Sequence, residues 1–259
     1  GVRARRVHRV APRGDLALYG TQYGAEDTYV VDVRGRRAAV LLHNGRLNPF
    51  TTAFTRDGAR IVYLGFDGGL VVLVAQNADG SGVPETLLTG VVAFVPAALA
   101  DVGLALVEDA LGVRQLLAVP FDGGPVVALD ALLPSGFEVN SSALRVASDG
   151  RWAVVTNAAV DALYRLALDG SAPAEFLAAD PLYFFRPAAL DLELAPDGSH
   201  VAFLQGGTGN LLIAPLRTGA PVTTSSVSGV NSIEFDPSSR RLLVLAQGEL
   251  YALEPDGTL

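Results

Sequence analysis

The chain has no cysteine and no methionine, and all 19 of its basic residues are arginine, so lysine is missing too. Without cysteine there is no disulfide, no thiolate metal site and no cysteine nucleophile. That composition fits an exported protein avoiding mispaired thiols, and fits a cytoplasmic one nearly as well. Charge is sparse, at 18% of residues, and the balance is acidic, with a formal net charge of −8. An acidic excess argues against a protein that tracks a nucleic-acid backbone. Long apolar runs are also missing: Gly, Pro or Asp interrupts each stretch well short of the ~20 residues that a membrane-spanning helix needs. The three histidines, His8, His43 and His200, form no pair at metal-ligand spacing. No serine sits in a G-x-S-x-G elbow.

What remains is apolar material, 50% of 259 residues, which is ample for a core. It is laid out as a repeat. A polar turn (Pro12-Arg13-Gly14, Arg56-Asp57-Gly58, Ser148-Asp149-Gly150, Pro196-Asp197-Gly198) precedes a short apolar run each time. Taking the second turn residue as marker, with Asp101 in the third repeat and Ser238 in the sixth, the spacings are 44, 44, 48, 48 and 41 residues. A period near 45 residues with short, β-branched runs predicts propeller blades of four strands. Helical repeats of that length need 3.6-residue periodicity over a dozen residues, which these runs lack.

Second strands are expected over 16–19, 61–64, 104–107, 152–155, 201–204 and 242–245. Their continuous apolar character suits sheets covered on both faces. Third strands follow over 29–33, 71–74, 116–119, 163–168, 211–216 and 250–253. Outer strands follow over 38–41, 86–88, 126–129, 175–177 and 222–224. First strands precede the markers, with the one near Val92 to Phe94 least defined, because the third turn has Val102 where glycine belongs. The expected fold is all-β: one six-bladed β-propeller domain over 1–259, with blades near 4–43, 48–90, 91–130, 139–178, 188–225 and 230–259. The sixth blade lacks an outer strand of its own. Either residues before Val7 supply it or the chain is part of a larger protein, and the second is the expectation.

The Arg56-Asp57-Gly58 turn with Ile61-Val62-Tyr63-Leu64, the Pro196-Asp197-Gly198 turn with Val201-Ala202-Phe203, and Asp169-Gly170 resemble the repeats of TolB-type six-bladed β-propellers. The first, third and sixth turns depart from that pattern. The resemblance implies a six-bladed propeller acting as a protein-binding platform, as a regulatory domain beside a peptidase, or within a cell-envelope assembly. WD, kelch and Asp-box patterns are absent.

Function is expected on the face carrying the second-to-third-strand loops and the blade-to-blade crossings, because those segments vary where the opposite turns are stereotyped. The leading candidates are Tyr183, Phe184, Phe185 and Arg186 on the crossing between blades 4 and 5, since aromatic and arginine anchors dominate interfaces. Tyr23, in the loop Gly20 to Asp27, and Arg46, in the crossing Asn44 to Phe50, would join them. The preferred reading is a non-catalytic, extracytoplasmic scaffold that binds protein, with no cofactor, no nucleic acid and no membrane insertion. The competing reading is a metal-dependent hydrolase of gluconolactonase type, with Asn48, Asn140 and Asn231 supplying hard oxygen ligands and Glu138, Asp161 or Asp180 adding charge. The Asn77 to Gly82 segment reads as a turn and not a calcium loop. Asp191 and Glu193 alternate along one strand and share a side. Arg3, Arg5, Arg6, Arg9 and Arg13 read as a solvated edge.

Overall fold

The computed structural model describes residues 4–21, 27–36, 38–43, 51–159, 162–179, 192–205, 208–216, 221–236, 238–255 and 257–258. They form six antiparallel sheets, each a meander in chain order. The first joins β1 (Ala4–Val10), β2 (Leu16–Thr21), β3 (Thr28–Asp32) and β4 (Val40–His43). The second joins β5 (Ala53–Phe54), β6 (Arg60–Asp67), β7 (Leu70–Asn77) and β8 (Glu85–Thr89). The third joins β9 (Val91–Pro96), β10 (Val102–Glu108), β11 (Arg114–Pro120) and β12 (Val127–Ala128). The fourth joins β13 (Arg145–Val146), β14 (Trp152–Thr156), β15 (Ala162–Ala167) and β16 (Glu175–Ala179). The fifth joins β17 (Leu192–Leu194), β18 (His200–Leu204), β19 (Leu211–Pro215) and β20 (Thr223–Thr224). The sixth has three strands among the described residues, β21 (Val230–Phe235), β22 (Leu242–Ala246) and β23 (Glu249–Leu253). Residues Ala4 to Arg6 belong to β1, where Ala4 pairs with Thr21 and Arg6 with Gly20, so they serve the first sheet.

The chain divides into two compact units, Gly1–Gln115 with Val119–Val126, and Leu116–Ala118 with Val127–Leu259. In the first unit, Leu18 and Val30 of the first sheet pack against Phe54, Ile61 and Val72 of the second. In the second unit, Val154 and Leu163 of the fourth sheet meet Val201 and Phe203 of the fifth. The fifth sheet's other face meets the sixth through Leu211, Ile213, Ile233 and Leu242. A sheet covered on both sides has no solvent face, which is why β18 and β19 read as unbroken apolar runs. Each fully buried Leu, Ile or Phe contributes about 1.5–3 kcal/mol.

One hydrogen-bond rule sets the register of the first turn. The N–H two residues before the turn's second residue donates to the carbonyl three after it: Ala11 to Leu16, Thr55 to Arg60, Ala147 to Trp152, Ala195 to His200 and Asp236 to Arg241. In the third sheet the pair is Ala97 to Val102, which centres that turn on Leu99 and not on Asp101. The strand before it is well formed: β9 pairs from Val91 to Pro96 along β10. Asp101, freed from the turn, accepts instead from the Arg56 amide of the second sheet at 2.5 Å.

The aspartates explain the turn grammar. Asp57, Asp149 and Asp197 each accept from the amide two residues on, at 2.9–3.0 Å, and Asp79, Asp122 and Asp169 do the same in the third-to-fourth-strand turns. The glycine after Asp57, Asp149 or Asp197 sits at φ +69° to +72°, where a side chain is strained. In the sixth sheet that position is Ser239, at φ 60°. Its hydroxyl accepts from the Asp197 amide at 2.9 Å, linking the fifth and sixth sheets.

Two arginines link neighbouring sheets in the same way. Arg60 of β6 pairs with Glu85 at the start of β8 and donates to the Phe121 carbonyl after β11 at 3.0 Å. Arg165 of β15 pairs with Glu175 at the start of β16, donates to the Pro215 carbonyl of β19 at 2.8 Å, and lies 5.5 Å from the centre of the Trp152 ring. Each link stays within one unit.

Candidate functional site

Tyr23, Arg46, Tyr183, Phe184, Phe185 and Arg186 lie outside the described residues, as do Asn48, Asp161, Asp180 and Asp191. Of the remaining oxygen-ligand candidates, Asn140 spends its carboxamide oxygen on the Ser142 amide at 3.0 Å, capping a helical turn at Ser141–Ala143. Asn231 is exposed on β21, and Glu138 is exposed before the short bridge between Val139 and Asn157. Among the described residues, no group of three or more His, Asp or Glu side chains is arranged to hold a metal ion. The Asn77 to Gly82 segment is a turn, with the Asp79 carboxylate accepting from the Ser81 amide at 2.9 Å. His200 is half-buried, with Nδ1 2.8 Å from the Ser199 hydroxyl.

Glu193 belongs to a row of charges that sequence spacing did not reveal. Arg145 pairs with Val154, Glu193 with Ala202 and Glu234 with Leu243. The three occupy one register position on the first strands of the fourth, fifth and sixth sheets. Glu193 is exposed at its surface, but partial loss of solvent by the packed neighbouring strands pushes its carboxyl up; Arg145 pulls it down and Glu234 pushes it further up. Burial pulls the Arg145 guanidinium down while Glu193 opposes it. In the first unit, Arg9 is half-buried on β1 and burial pulls it down likewise, so it is more than a solvated edge charge.

The described surface that stands out is apolar, and it lies on second-to-third-strand connections. The β6–β7 hairpin closes through Gly68 and Gly69 at φ +55° and +87°, the signature of a two-residue type I′ turn. Phe66 pairs with Val71, and Asp67 with Leu70. This tight tip leaves Phe66 75% exposed and Leu70 more than half exposed. The β10–β11 loop is held by Asp109, which accepts from the Leu111 amide at 2.8 Å and the Val113 amide at 2.9 Å. A Glu108–Arg114 ion pair at 2.8 Å closes its base. Leu111 is 89% exposed at its apex, with Val113 beside it.

Both tips stand at one end of the first unit. Thr89 pairs with Val72 just inside the first tip, and the carbonyl of the next residue, Gly90, accepts from the Glu108 amide at the base of the second. In the second unit, the β22–β23 hairpin repeats the device: Gln247 and Gly248 make the turn at φ 51° and 86°, and the paired Leu245 and Leu250 are exposed. The other kinds of turn expose apolar side chains singly, as Val33, Val83, Leu99 and Val126. Isolated exposed apolar residues are ordinary, whereas adjoining ones mark contact surfaces. Sequence reasoning missed Phe66 and Leu70 because they continue the apolar runs of their strands; the Gly68-Gly69 pair was the available signal.

No family model matches the sequence, and no curated protein matches it. Solved structures do. A TolB structure from Acinetobacter baumannii is 16% identical with a TM-score of 0.47, over 96% of this chain and 60% of that one. An oligogalacturonate lyase from Vibrio parahaemolyticus is 13% identical with a TM-score of 0.59, over 99% of this chain and 77% of that one. A eukaryotic initiation factor is 13% identical with a TM-score of 0.62, over 96% of this chain and 62% of that one. The chain thus spans less than two thirds of the TolB and initiation factor chains. At such identities a likeness extends to the fold alone. Six antiparallel sheets, their repeated Asp-Gly turns and the likenesses to the lyase and the initiation factor make the chain, in fold, a six-bladed β-propeller.

Proposed function

We propose that this propeller is a non-catalytic platform that recognises another protein through the end bearing its second-to-third-strand connections. The observation that carries the reading is the exposure of apolar side chains on two braced tips, Phe66 and Leu70 on the first and Leu111 and Val113 on the second. Rigid presentation lowers the entropy lost on binding. A hairpin with both turn glycines at positive φ and a loop pinned by one carboxylate supply that rigidity. The reading extends to Tyr23, on the same kind of connection, and to Arg46 and Tyr183 to Arg186, on blade-to-blade crossings that the repeat assigns to the same face. It places the protein outside the cytoplasm, within an envelope or surface assembly.

The test is co-purification from the native host with Phe66→Ser/Leu111→Ser beside a control, Val83→Ser/Leu99→Ser, at the other kinds of turn. The reading predicts a partner that is lost from the first variant and retained by the second. Equal recovery by both would contradict it. Metal content and a metal-dependent melting shift in the same preparations separate this reading from the metal-dependent hydrolase.

A further inference from the structure

We infer that the two tips of the first unit dock a protein segment that presents an apolar side chain flanked by arginine or lysine. The inference rests on the protein-recognition reading above and adds the chemistry of the partner. It starts from the charges that surround the exposed apolar groups. Asp67 is exposed between Phe66 and Gly68 at the first tip. Asp109 is exposed at the base of the second tip, where its Oδ1 holds two amides. Among the described residues of the two tips, Glu108 is matched by Arg114, which leaves the Asp67 and Asp109 carboxylates in excess beside Phe66, Leu70, Leu111 and Val113.

Geometry keeps these charges in place. Asp109 cannot turn away without releasing the loop that carries Leu111, and Asp67 occupies a fixed pair position opposite Leu70. An apolar centre with an acidic border repels acidic segments and accelerates the approach of basic ones. It also disfavours a second copy of this chain, whose own net charge is −8. A basic–apolar segment satisfies both parts of the surface at once: its apolar side chains cover the apolar groups of the two tips, and its cations reach the carboxylates at the border.

The experiment titrates the full chain with three labelled synthetic peptides of equal length, read by fluorescence anisotropy. One alternates leucine with arginine, one alternates leucine with glutamate, and one alternates serine with arginine. The inference expects binding of the leucine–arginine peptide alone, weakened at least tenfold by Phe66→Ser/Leu111→Ser and progressively by salt. Asp67→Lys, which leaves the turn glycines untouched, is expected to weaken that peptide and strengthen the leucine–glutamate one. Far-UV circular dichroism of each variant verifies the fold. Equal binding of the acidic peptide, or binding of serine–arginine as tight as leucine–arginine, overturns the inference. Should no peptide bind while the serine variant still loses its native partner, the partner chemistry is wrong and the recognition reading survives. Should the serine variant change neither, both fall.

Discussion

Replacing Arg165 with alanine tests how the sheets of the second unit are held together. The Arg165 side chain is 1% exposed and has three kinds of partner: Glu175, the Pro215 carbonyl and the Trp152 ring. Arg165→Ala leaves a carbonyl without this donor, a carboxylate without this cation, and a hole beside the indole. Breaking a buried pair by removing one partner costs about 3–5 kcal/mol. The Glu175 carboxylate is near one-third exposed, so water relieves part of its loss and the low end applies, about 3 kcal/mol. At ~2–4 °C per kcal/mol, that lowers the melting temperature by roughly 6–12 °C. Arg60→Ala removes the same type of link where the arginine side chain is 23% exposed and the partner Glu85 is half exposed, so its loss is about 1 kcal/mol. Urea unfolding of both variants, with calorimetry to resolve separate transitions of the two units, measures the contrast. A double-mutant cycle with Glu175→Gln isolates the pair. If Arg165→Ala costs no more than Arg60→Ala, burial is not what gives the link its strength.

Three further outcomes follow from the turns. Ser239 holds a left-handed conformation but its hydroxyl oxygen accepts from the Asp197 amide, so Ser239→Ala should lose about 1–2 kcal/mol, while Ser239→Gly should stay within ~1 kcal/mol of the parent in urea unfolding. Gly90 sits at φ +69° with a would-be Cβ 2.5 Å from the Glu108 carbonyl, so Gly90→Ala should cost about 2 kcal/mol or more in the same assay. Asp197 is held below its ordinary value: burial pushes it up, but hydrogen bonds from Ser199 and Ser239 and the nearby His200 together outweigh that. A carboxyl depressed by folding contributes stability above its unfolded value and loses it as pH falls through the folded one. The stability gap between the parent and Asp197→Ala should therefore be about 0.5–1 kcal/mol at neutral pH, allowing for solvent screening, and should shrink under strong acid; a gap independent of pH would contradict this.

The fold was legible because its determinants are local. An aspartate that accepts an amide two residues on, a glycine at positive φ and a run covered on both faces all leave their mark within ten residues. The third turn shows the limit: Leu99 carries no turn chemistry, whereas Asp101, two residues on, has the residue type of a turn while its carboxylate serves a different sheet. The outer strand expected over 38–41 falls at Val40–His43, since Val33 to Arg36 form the turn before it. The links made by Arg60 and Arg165 were not legible, because their carbonyl partners lie 61 and 50 residues away and a carbonyl has no residue identity. Exposure at Phe66 was hidden for another reason: an apolar residue in an apolar run looks the same whether a neighbouring sheet covers it or the strand outruns that cover.

The central claim is that the braced tips meet another protein, and site-specific photo-crosslinking in the native host tests it most directly. A photoreactive residue at Leu111 or Phe66 is predicted to give a discrete protein adduct, while the same residue at Val83 gives none. Adducts from Val83 alone, or matching adducts from all three positions, would contradict the account.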